Sequence, residues 1–347
     1  MKEKYQSTII DLILKGKALS AAELYKLIDL GESTVRKYLK ELVEENKLQV
    51  IGSGRSTKYA IAPSFELLAP VNLDDYYQKE MDDRNARSSY NFDLVAKVLQ
   101  KASLFTLHEQ QKLNKIQESY LKSVQLVEEG IYKKRLEVLA IDLIWKSSEI
   151  EGNTYSLLET EALIKQQELA KGKSKEEATM LLNHKKALDF ITDDLDYLKP
   201  LTVNKVIDIH TLLIGGLGVS NNIRKRAVAI TGTNYRPLSI ETQIREELEG
   251  IVKLVNSKEN IFEKGLLLLC LLSYLQAFED GNKRTARIMS NAVLMSYNFC
   301  PLSFRTISAV DYKKAMLLFY EQNNISAMKE IFIHQYEFAV KQYFDLL

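Results

Sequence analysis

One stretch decides the fold of this chain: Ser273-Tyr-Leu-Gln276-Ala-Phe278-Glu-Asp280-Gly281-Asn282-Lys283-Arg284-Thr-Ala-Arg287. The residues that lead into it, Leu266 to Leu275, are apolar almost all round, which predicts a buried central helix. Gly281 marks a loop, and a second helix is predicted to begin at about Lys283. The stretch therefore predicts two helices joined by a glycine-centred loop.

The loop between these helices has the chemistry of a phosphate site. Free backbone N–H groups at the start of a helix bind anions, and Gly281 lets a phosphate approach the backbone closely. Arg284 and Arg287 lie three residues apart on one helix face, where both can bind phosphate oxygens. Asp280 supplies a carboxylate suited to Mg²⁺. These residues predict a cradle for a nucleotide polyphosphate; the alternative is a capped helix start with solvated arginines.

The composition narrows the class of protein. The chain has 347 residues, a formal net charge of +1 and 46% hydrophobic residues, which indicates a folded protein of two domains, or three. Its 2 cysteines exclude a disulfide framework and a Cys-rich zinc site. The first residues do not have the pattern of a signal peptide, and no apolar run approaches the roughly 20 residues of a membrane span. We expect a cytoplasmic protein that does not bind a membrane.

The motif stretch resembles the active-site motif of the Fic (Fido) family, His-x-Phe-x-Asp/Glu-Gly-Asn-Gly/Lys-Arg-x-x-Arg. The residues that match in order and spacing are Phe278, Asp280, Gly281, Asn282, Lys283, Arg284 and Arg287. The resemblance implies an adenylyltransferase that performs AMPylation, the transfer of AMP from ATP to a Ser, Thr or Tyr hydroxyl of a target protein. It also implies that Asp280 holds Mg²⁺. The phosphates of ATP would be bound by Gly281, Asn282, Lys283, Arg284 and Arg287.

One position departs from the family motif. Gln276 stands where the family has the histidine that takes the proton from the attacking hydroxyl. Glutamine can orient a hydroxyl, but it has no site that titrates near neutral pH. Loss of a positioned general base typically lowers a rate by about 10²–10⁴-fold. The sequence therefore predicts a protein that binds ATP and Mg²⁺ but is impaired or inactive as an AMP transferase, a pseudoenzyme.

Two alternatives stay open. One is an active adenylyltransferase, or an enzyme of an altered or reverse reaction, in which Glu151 replaces the missing base. The other is a transcriptional regulator whose Fic-like domain acts as a sensor or a dimerisation body. The partners expected are an unidentified target protein and DNA, with a second copy of the chain as a further alternative.

An upstream segment, Ser147-Ser-Glu-Ile-Glu151-Gly152, resembles the inhibitory motif of the same family, Ser/Thr-x-x-x-Glu-Gly/Asn. Ser147 and Glu151 are four residues apart and so share a helix face, and Gly152 favours a helix end. The resemblance implies autoinhibition, in which Glu151 pairs with Arg287 and blocks the productive position of the ATP γ-phosphate. Taken alone, Glu151 would be a surface charge at a helix end.

Residues 224–238 resemble the flap of the family, a β-hairpin that holds an extended target segment by strand addition. The alternation of Val228 and Ile230 is typical of a strand, and Gly232 is expected to turn the chain. Thr233 and Tyr235 complete the candidate flap residues. The alternative is a small structural hairpin.

The first 62 residues have a different pattern. Three helical segments are followed by a strand at 48–51, a tight loop at 52–56 and a returning strand at 58–61, an order that resembles a winged helix-turn-helix domain. This region has 11 basic and 8 acidic residues, whereas the remainder carries a small negative charge. The candidate DNA-binding residues lie on the third helix and the wing: Ser33, Thr34, Arg36, Lys37, Lys40, Arg55 and Lys58. The alternative is a protein-docking module.

The predicted fold is mainly α. It consists of an all-helical Fic-type domain with a small β-hairpin flap, preceded by a winged helix-turn-helix. The predicted divisions are 1–62 for the winged helix, 63–95 for a connector and 96–347 for the Fic-like domain. Within that domain the inhibitory helix covers about 141–153, the flap 224–238 and the motif loop 276–287.

Overall fold

A computed structural model of the chain divides into two units of unequal size, Met1–Pro70 and Val71–Leu347. The structure describes residues 2–16, 18–84 and 86–345. Asn85, which falls in the predicted connector, lies outside the described residues. The division leaves residues 63–70 of that connector with the first unit and residues 71–95 with the second.

Over its described residues, 2–16 and 18–70, the first unit has three helices, a hairpin and a last short helix. Its elements are α1 (Lys2–Gly16), α2 (Ala21–Leu27), α3 (Glu32–Glu44), β1 (Leu48–Ile51), β2 (Lys58–Ile61) and α4 (Pro63–Leu68). The helices bury Ile9, Leu24 and Leu39 in one core, because each helix has a single apolar face. β1 and β2 are antiparallel, with Leu48 opposite Ile61.

The second unit is a succession of helices. They are α5 (Leu73–Tyr77), α6 (Leu99–Lys101), α7 (Leu107–Leu126), α8 (Glu129–Glu149), α9 (Leu157–Gln166), α10 (Lys175–Asp193), α11 (Val203–Ile214), α12 (Glu241–Ser257), α13 (Ile261–Leu275), α14 (Asn282–Ser296), α15 (Ala309–Gln322) and α16 (Ser326–Ala339). The prediction of a mainly α fold is confirmed. Within the described ranges, none of the helices has both the length and the apolarity needed to cross a bilayer.

The helix α13 is the centre of the second unit. Every residue from Phe262 to Leu275 is buried, which confirms the predicted central helix. The helix packs against α14, α12 and α15. Because its neighbours surround it, the position of its C-terminal end is well defined, and the motif loop starts from a rigid element.

The second-unit part of the predicted connector is packed against α15. The hydroxyl of Tyr76 donates to Glu321 Oε2 at 2.7 Å, and the hydroxyl of Tyr77 donates to the carbonyl of Lys314 at 2.7 Å. Lys314 in turn pairs with Asp74 at 3.0 Å. This stretch is therefore held against α15 by three side-chain contacts.

The predicted flap is not a regular β-hairpin, and this part of the fold prediction is wrong. Among the described residues, 224–238 contain no strand; the chain is extended, turns at 231–232, and makes one isolated parallel bridge between Arg236 and Ser89. The physical reason is that the second half of this segment forms its backbone hydrogen bond with a residue outside the segment. The backbone N–H of Arg236 donates to Ser88 O at 3.1 Å, outside the flap, and Pro237 has no N–H to donate.

Candidate active site

The motif loop is shaped by a glycine that no other residue can replace without strain. Gly281 precedes α14 with φ +76°, and a Cβ there would lie 3.1 Å from Ile214 Cγ2 and 3.3 Å from His210 Cε1. Both the backbone conformation and the space therefore require glycine. The loop delivers the start of α14, whose first N–H groups have no partner within the helix. The prediction of two helices joined by a glycine-centred loop is confirmed.

Asn282 braces this loop from inside. Its Nδ2 donates to Phe278 O at 2.8 Å and to Gln276 Oε1 at 3.1 Å, and its Oδ1 accepts from Phe278 N at 2.9 Å. The side chain is buried. Its side-chain polar groups are thus used within the loop, and its backbone N–H, at the first position of α14, has no acceptor within the helix.

Gln276 is held firmly at the end of α13. It has φ 51° and ψ 55°, a left-handed conformation that ends the helix. Its side-chain Nε2 donates to Ser273 O at 2.6 Å, while its backbone carbonyl accepts from Arg224 Nε at 2.6 Å. With Oε1 bound to Asn282 as well, both ends of the amide are fixed. The position of the family histidine is therefore occupied by an ordered, neutral group.

The second motif arginine is bound by the upstream segment. Arg287 is fully buried; its Nη2 donates to Glu151 Oε1 at 2.7 Å, and its Nε donates to Ser147 Oγ at 2.8 Å. Lys283 pairs with the other oxygen of the same carboxylate, with Nζ 2.7 Å from Glu151 Oε2. The contact with Arg287 that the resemblance implied is present. Lys283 was predicted to bind only phosphate, so its contact with Glu151 was not expected.

The inhibitory segment differs in one respect from the prediction of a shared helix face. The helix α8 ends at Glu149, so Glu151 lies in the turn that follows rather than in the helix. Gly152 makes this turn with φ +94°, a region that favours glycine. The turn still brings Glu151 to Arg287, because Ser147 in the last helical turn holds the same guanidinium.

The Glu151 carboxyl is strongly acidic. Burial raises its pKa, but the charges of Arg287 and Lys283 outweigh burial and lower the pKa to about 2. Since this lies below the ordinary value of about 4.3, the ionised carboxylate stabilises the fold at higher pH, and that contribution is lost as the pH falls through the folded-state pKa. The ion pairs are thus complete at neutral pH, and Glu151 in this position is a weak proton acceptor.

A buried histidine supports the same arginine through Ser147. His184 Nδ1 lies 2.9 Å from Met180 O, so Nδ1 carries the proton and Nε2 accepts from Ser147 Oγ at 3.0 Å. Burial lowers the pKa of His184 to about 3, which keeps the ring neutral. The serine hydroxyl can therefore donate to His184 while its oxygen accepts from Arg287.

Asp280 and Arg284 form an ion pair beside the motif loop, in which Asp280 is the exposed partner. Arg284 Nη2 donates to Asp280 Oδ2 at 3.1 Å; the arginine side chain is buried, whereas 66% of the Asp280 side chain is exposed. Within the described ranges no cluster of three or more His, Cys, Asp or Glu side chains is able to hold a metal. A single accessible carboxylate fits Mg²⁺, which usually keeps several waters and shares the phosphates of its nucleotide.

The flap candidates divide into two groups. Val228 and Ile230 are half-buried and Gly232 is exposed, whereas Thr233 and Tyr235 are buried. The ring of Tyr235 stacks on Tyr274 of α13 with centroids 4.7 Å apart. Residues 227–232 are therefore at least partly accessible to solvent, and Thr233 and Tyr235 instead attach the flap to the core.

The candidate DNA-binding residues are mostly exposed in the first unit. On α3, Ser33, Arg36, Lys37 and Lys40 are exposed and Thr34 is half-buried; on the hairpin, Arg55 and Lys58 are exposed. Two of these cations have acidic neighbours on the same helix. Arg36 Nη2 lies 2.7 Å from Glu32 Oε1, and Lys40 Nζ lies 3.8 Å from Glu44 Oε1.

The part of the chain that contains this site is similar to a known protein family. The Fic/DOC family model matches residues 200–294, which include the flap, α13 and the motif loop. The Protein adenylyltransferase Fic of Nematostella vectensis is 28% identical over 210 residues, 59% of this chain and 49% of that protein. The chain carries a Fic-family domain. It spans about half the length of this curated relative.

Solved structures share the fold of the Fic domain. Fic-1 of Caenorhabditis elegans gives a TM-score of 0.60 at 20% identity and covers 68% of this chain and 72% of that one. A signalling protein of Bacteroides thetaiotaomicron that contains a Fic domain gives a TM-score of 0.55 at 19% identity, with 66% and 96% covered. At these identities the likeness shows the fold alone, and it confirms the predicted mainly α, Fic-type fold.

Two residues of the Fic domain have structural roles that sequence patterns did not predict. Arg224 is buried; its backbone N–H donates to Ala277 O at 3.0 Å and its Nη1 to Arg226 O at 2.8 Å, so it joins the flap to the motif loop. His210 lies under the loop, with its ring stacked on Phe278 at 3.6 Å between centroids. In the sequence Arg224 is the first of three consecutive basic residues, 224–226, and nothing in that run marks it as the buried one; His210 offered no signal either.

Proposed function

We propose that the Fic domain binds ATP with Mg²⁺, that Glu151 holds it in an autoinhibited conformation, and that Gln276 impairs AMP transfer. The observation that carries the proposal is the position of Glu151. One carboxylate binds both Arg287 and Lys283, two cations that line the start of α14 beside the glycine-centred loop. A cation pair at a helix start is suited to phosphate, and here an internal carboxylate occupies it.

Each residue of the site would have a separate role in binding the nucleotide. The amides at the start of α14 and the guanidinium of Arg284 would hold phosphate oxygens, and Asp280 would hold Mg²⁺. When bound, ATP supplies the AMP group that is transferred. Arg287 and Lys283 become available to the terminal phosphate when Glu151 leaves them. Gln276 can orient the attacking hydroxyl through its amide, but it cannot take the proton.

Mg²⁺-dependent ATP binding tests this proposal. In Asp280→Ala, we expect the affinity for ATP in the presence of Mg²⁺ to fall about tenfold or more, because the metal no longer has an accessible carboxylate. Isothermal titration with and without EDTA measures it. The control is Glu279→Ala, which removes a neighbouring exposed carboxylate and should leave the affinity unchanged. Binding that is equally strong in Asp280→Ala, or no binding to wild type at millimolar ATP, would falsify the proposal.

The second candidate function is an active adenylyltransferase. It is favoured by the names of relatives such as the Nematostella protein, which are called protein adenylyltransferases. In the version where Glu151 is the base, the carboxylate must first leave Arg287 and Lys283, since a carboxyl of pKa about 2 accepts protons weakly. Transfer of labelled AMP to any protein by the wild-type chain would support this candidate over the impaired one.

For the first unit we propose binding to DNA through the exposed face of α3 and the hairpin. The order of helices and strands matches the one predicted for a winged helix, and the positively charged residues on this face are accessible. Phosphate contacts made by Lys and Arg release counterions, so the affinity should fall steeply with salt. The unit would link the Fic domain to a regulated site on DNA.

The double variant Arg36→Ala, Lys37→Ala is expected to weaken DNA binding. The slope of log affinity against log salt should decrease by about 1 for each DNA phosphate that the variant no longer neutralises. Fluorescence anisotropy at several salt concentrations measures both. The matched control is Lys4→Ala, Lys26→Ala, which removes the same charge from α1 and α2. Equal weakening in the two double variants would indicate a nonspecific charge effect, and binding independent of salt would favour protein docking.

A further inference from the structure

A segment that follows the first unit runs alongside the flap. We define it as the strap, residues 82–91, of which all but Asn85 are described. Near its start, Asp82 Oδ1 accepts from Asn234 Nδ2 at 2.8 Å. Further on, Ser88 O accepts from the backbone N–H of Arg236 at 3.1 Å. The strap therefore provides hydrogen bonds that the other arm of a regular hairpin would provide.

The guanidinium of Arg84, which belongs to the strap, lies between the flap and α15. Arg84 Nη1 lies 3.1 Å from Glu321 Oε1, and Arg84 Nη2 donates to the carbonyl of Gly232 at 3.1 Å. The Arg84 side chain is 7% exposed and that of Glu321 is fully buried. A planar guanidinium can satisfy two acceptors at a fixed angle, so this contact holds the turn of the flap at a defined distance from α15.

Three stacked tyrosines join the end of the strap to α13. Tyr90 of the strap stacks on Tyr274 of α13 with centroids 4.8 Å apart, and Tyr274 stacks on Tyr235 of the flap at 4.7 Å. The hydroxyl of Tyr235 donates to Tyr274 O at 3.0 Å, and Tyr274 is two residues before Gln276. One rigid stack thus sets the strap, the flap and the motif loop relative to one another.

We propose that the strap is a positioning element that fixes the second arm of the flap, residues 232–236, and that Arg84 is its principal positioning residue. The irregular conformation of the flap supports this role. Its second arm does not pair with its first arm within the described ranges, so its conformation depends on Arg84, Asp82, Ser88 and the tyrosine stack. The consequence for target binding rests on the proposed function, together with the expectation that the flap, residues 224–238, holds an extended target segment.

Hydrogen exchange of the full chain, followed by mass spectrometry, tests the strap. Arg84→Lys keeps the charge opposite Glu321 but lacks the second arm of the fork, so it removes the bond to Gly232 without leaving a buried charge unpaired. We expect amides of 232–236 to exchange about tenfold faster, while α15 exchanges and the protein melts as in wild type. Asp82→Ala, an exposed substitution, should accelerate exchange in the same segment to a smaller extent.

The control and the contrary outcomes separate this proposal from the function proposed above. Asp83→Ala changes an exposed carboxylate of the same turn and should leave flap exchange unchanged. If neither Arg84→Lys nor Asp82→Ala accelerates exchange at 232–236, the strap proposal is wrong. If both accelerate exchange throughout α15 and lower the melting temperature, Arg84 is only structural and the proposal is again wrong. ATP binding, measured in the same samples, reports on the proposed function and should be unaffected by either variant.

Discussion

Restoring the base should produce AMP transfer: the double variant Gln276→His, Glu151→Gly is expected to label protein substrates about 10²–10⁴-fold faster than Glu151→Gly alone. The backbone at position 276 can accommodate a histidine. Gln276 occupies a left-handed conformation that histidine also adopts, and its carbonyl is anchored by Arg224. With Glu151 removed, Arg287 and Lys283 are available to the phosphates. Labelled ATP with Mg²⁺ and a cell lysate gives the readout, with self-labelling as a second signal.

The control for this prediction is Gln276→Asn, Glu151→Gly, which changes the same side chain but adds no titratable group. It should label no faster than Glu151→Gly. Should wild type or Glu151→Gly already label as fast as the histidine variant, the impaired-enzyme proposal fails and the active-enzyme candidate is preferred. Should the histidine variant bind ATP yet remain inactive, the defect extends beyond the missing base.

Removing the internal carboxylate should strengthen ATP binding. In Glu151→Gly we expect the Kd for ATP to fall about tenfold or more, because a negative charge beside the terminal phosphate disappears and two cations are freed. The Kd for AMP should change little, since AMP has no terminal phosphate to meet Arg287. Isothermal titration with both nucleotides measures the difference. Between pH 6 and 8 the gain should be constant, because Glu151, with a pKa of about 2, stays ionised throughout.

Stability gives an independent check of the same variant. Without nucleotide, Glu151→Gly should melt below wild type, because Arg287 is fully buried and loses its carboxylate partner while its contacts with Ser147 remain. ATP with Mg²⁺ should then raise the melting temperature more in the variant than in wild type. Glu149→Gln is the matched control, as this carboxylate at the same helix end pairs with Lys146 at 2.7 Å instead. An unchanged ratio of ATP to AMP affinity in Glu151→Gly would rule out autoinhibition by Glu151.

Features that depend on residues adjacent in the chain could be predicted from the sequence, whereas features that depend on contacts between distant segments could not. The motif loop could be predicted because Gly281 and the apolar run before it act on their own neighbours, through backbone conformation and burial. The flap could not: alternation of Val228 and Ile230 favours a strand, but whether a strand forms depends on a partner, and the partner of Arg236 is Ser88 in the strap. Similarly, a lone Arg84 in a polar stretch carries no local signal of its buried position.

By itself the sequence determined the central helix, the glycine-centred loop and the absence of a histidine at Gln276, since each depends on residues adjacent in the chain. Only the tertiary structure decided that Glu151 binds Lys283 as well as Arg287, that the flap takes its hydrogen bonds from the strap, and that Tyr90 and Tyr235 stack on either side of Tyr274. These contacts join segments far apart in the chain. Their geometry follows from how the helices pack, and periodicity and spacing contain no information about that packing.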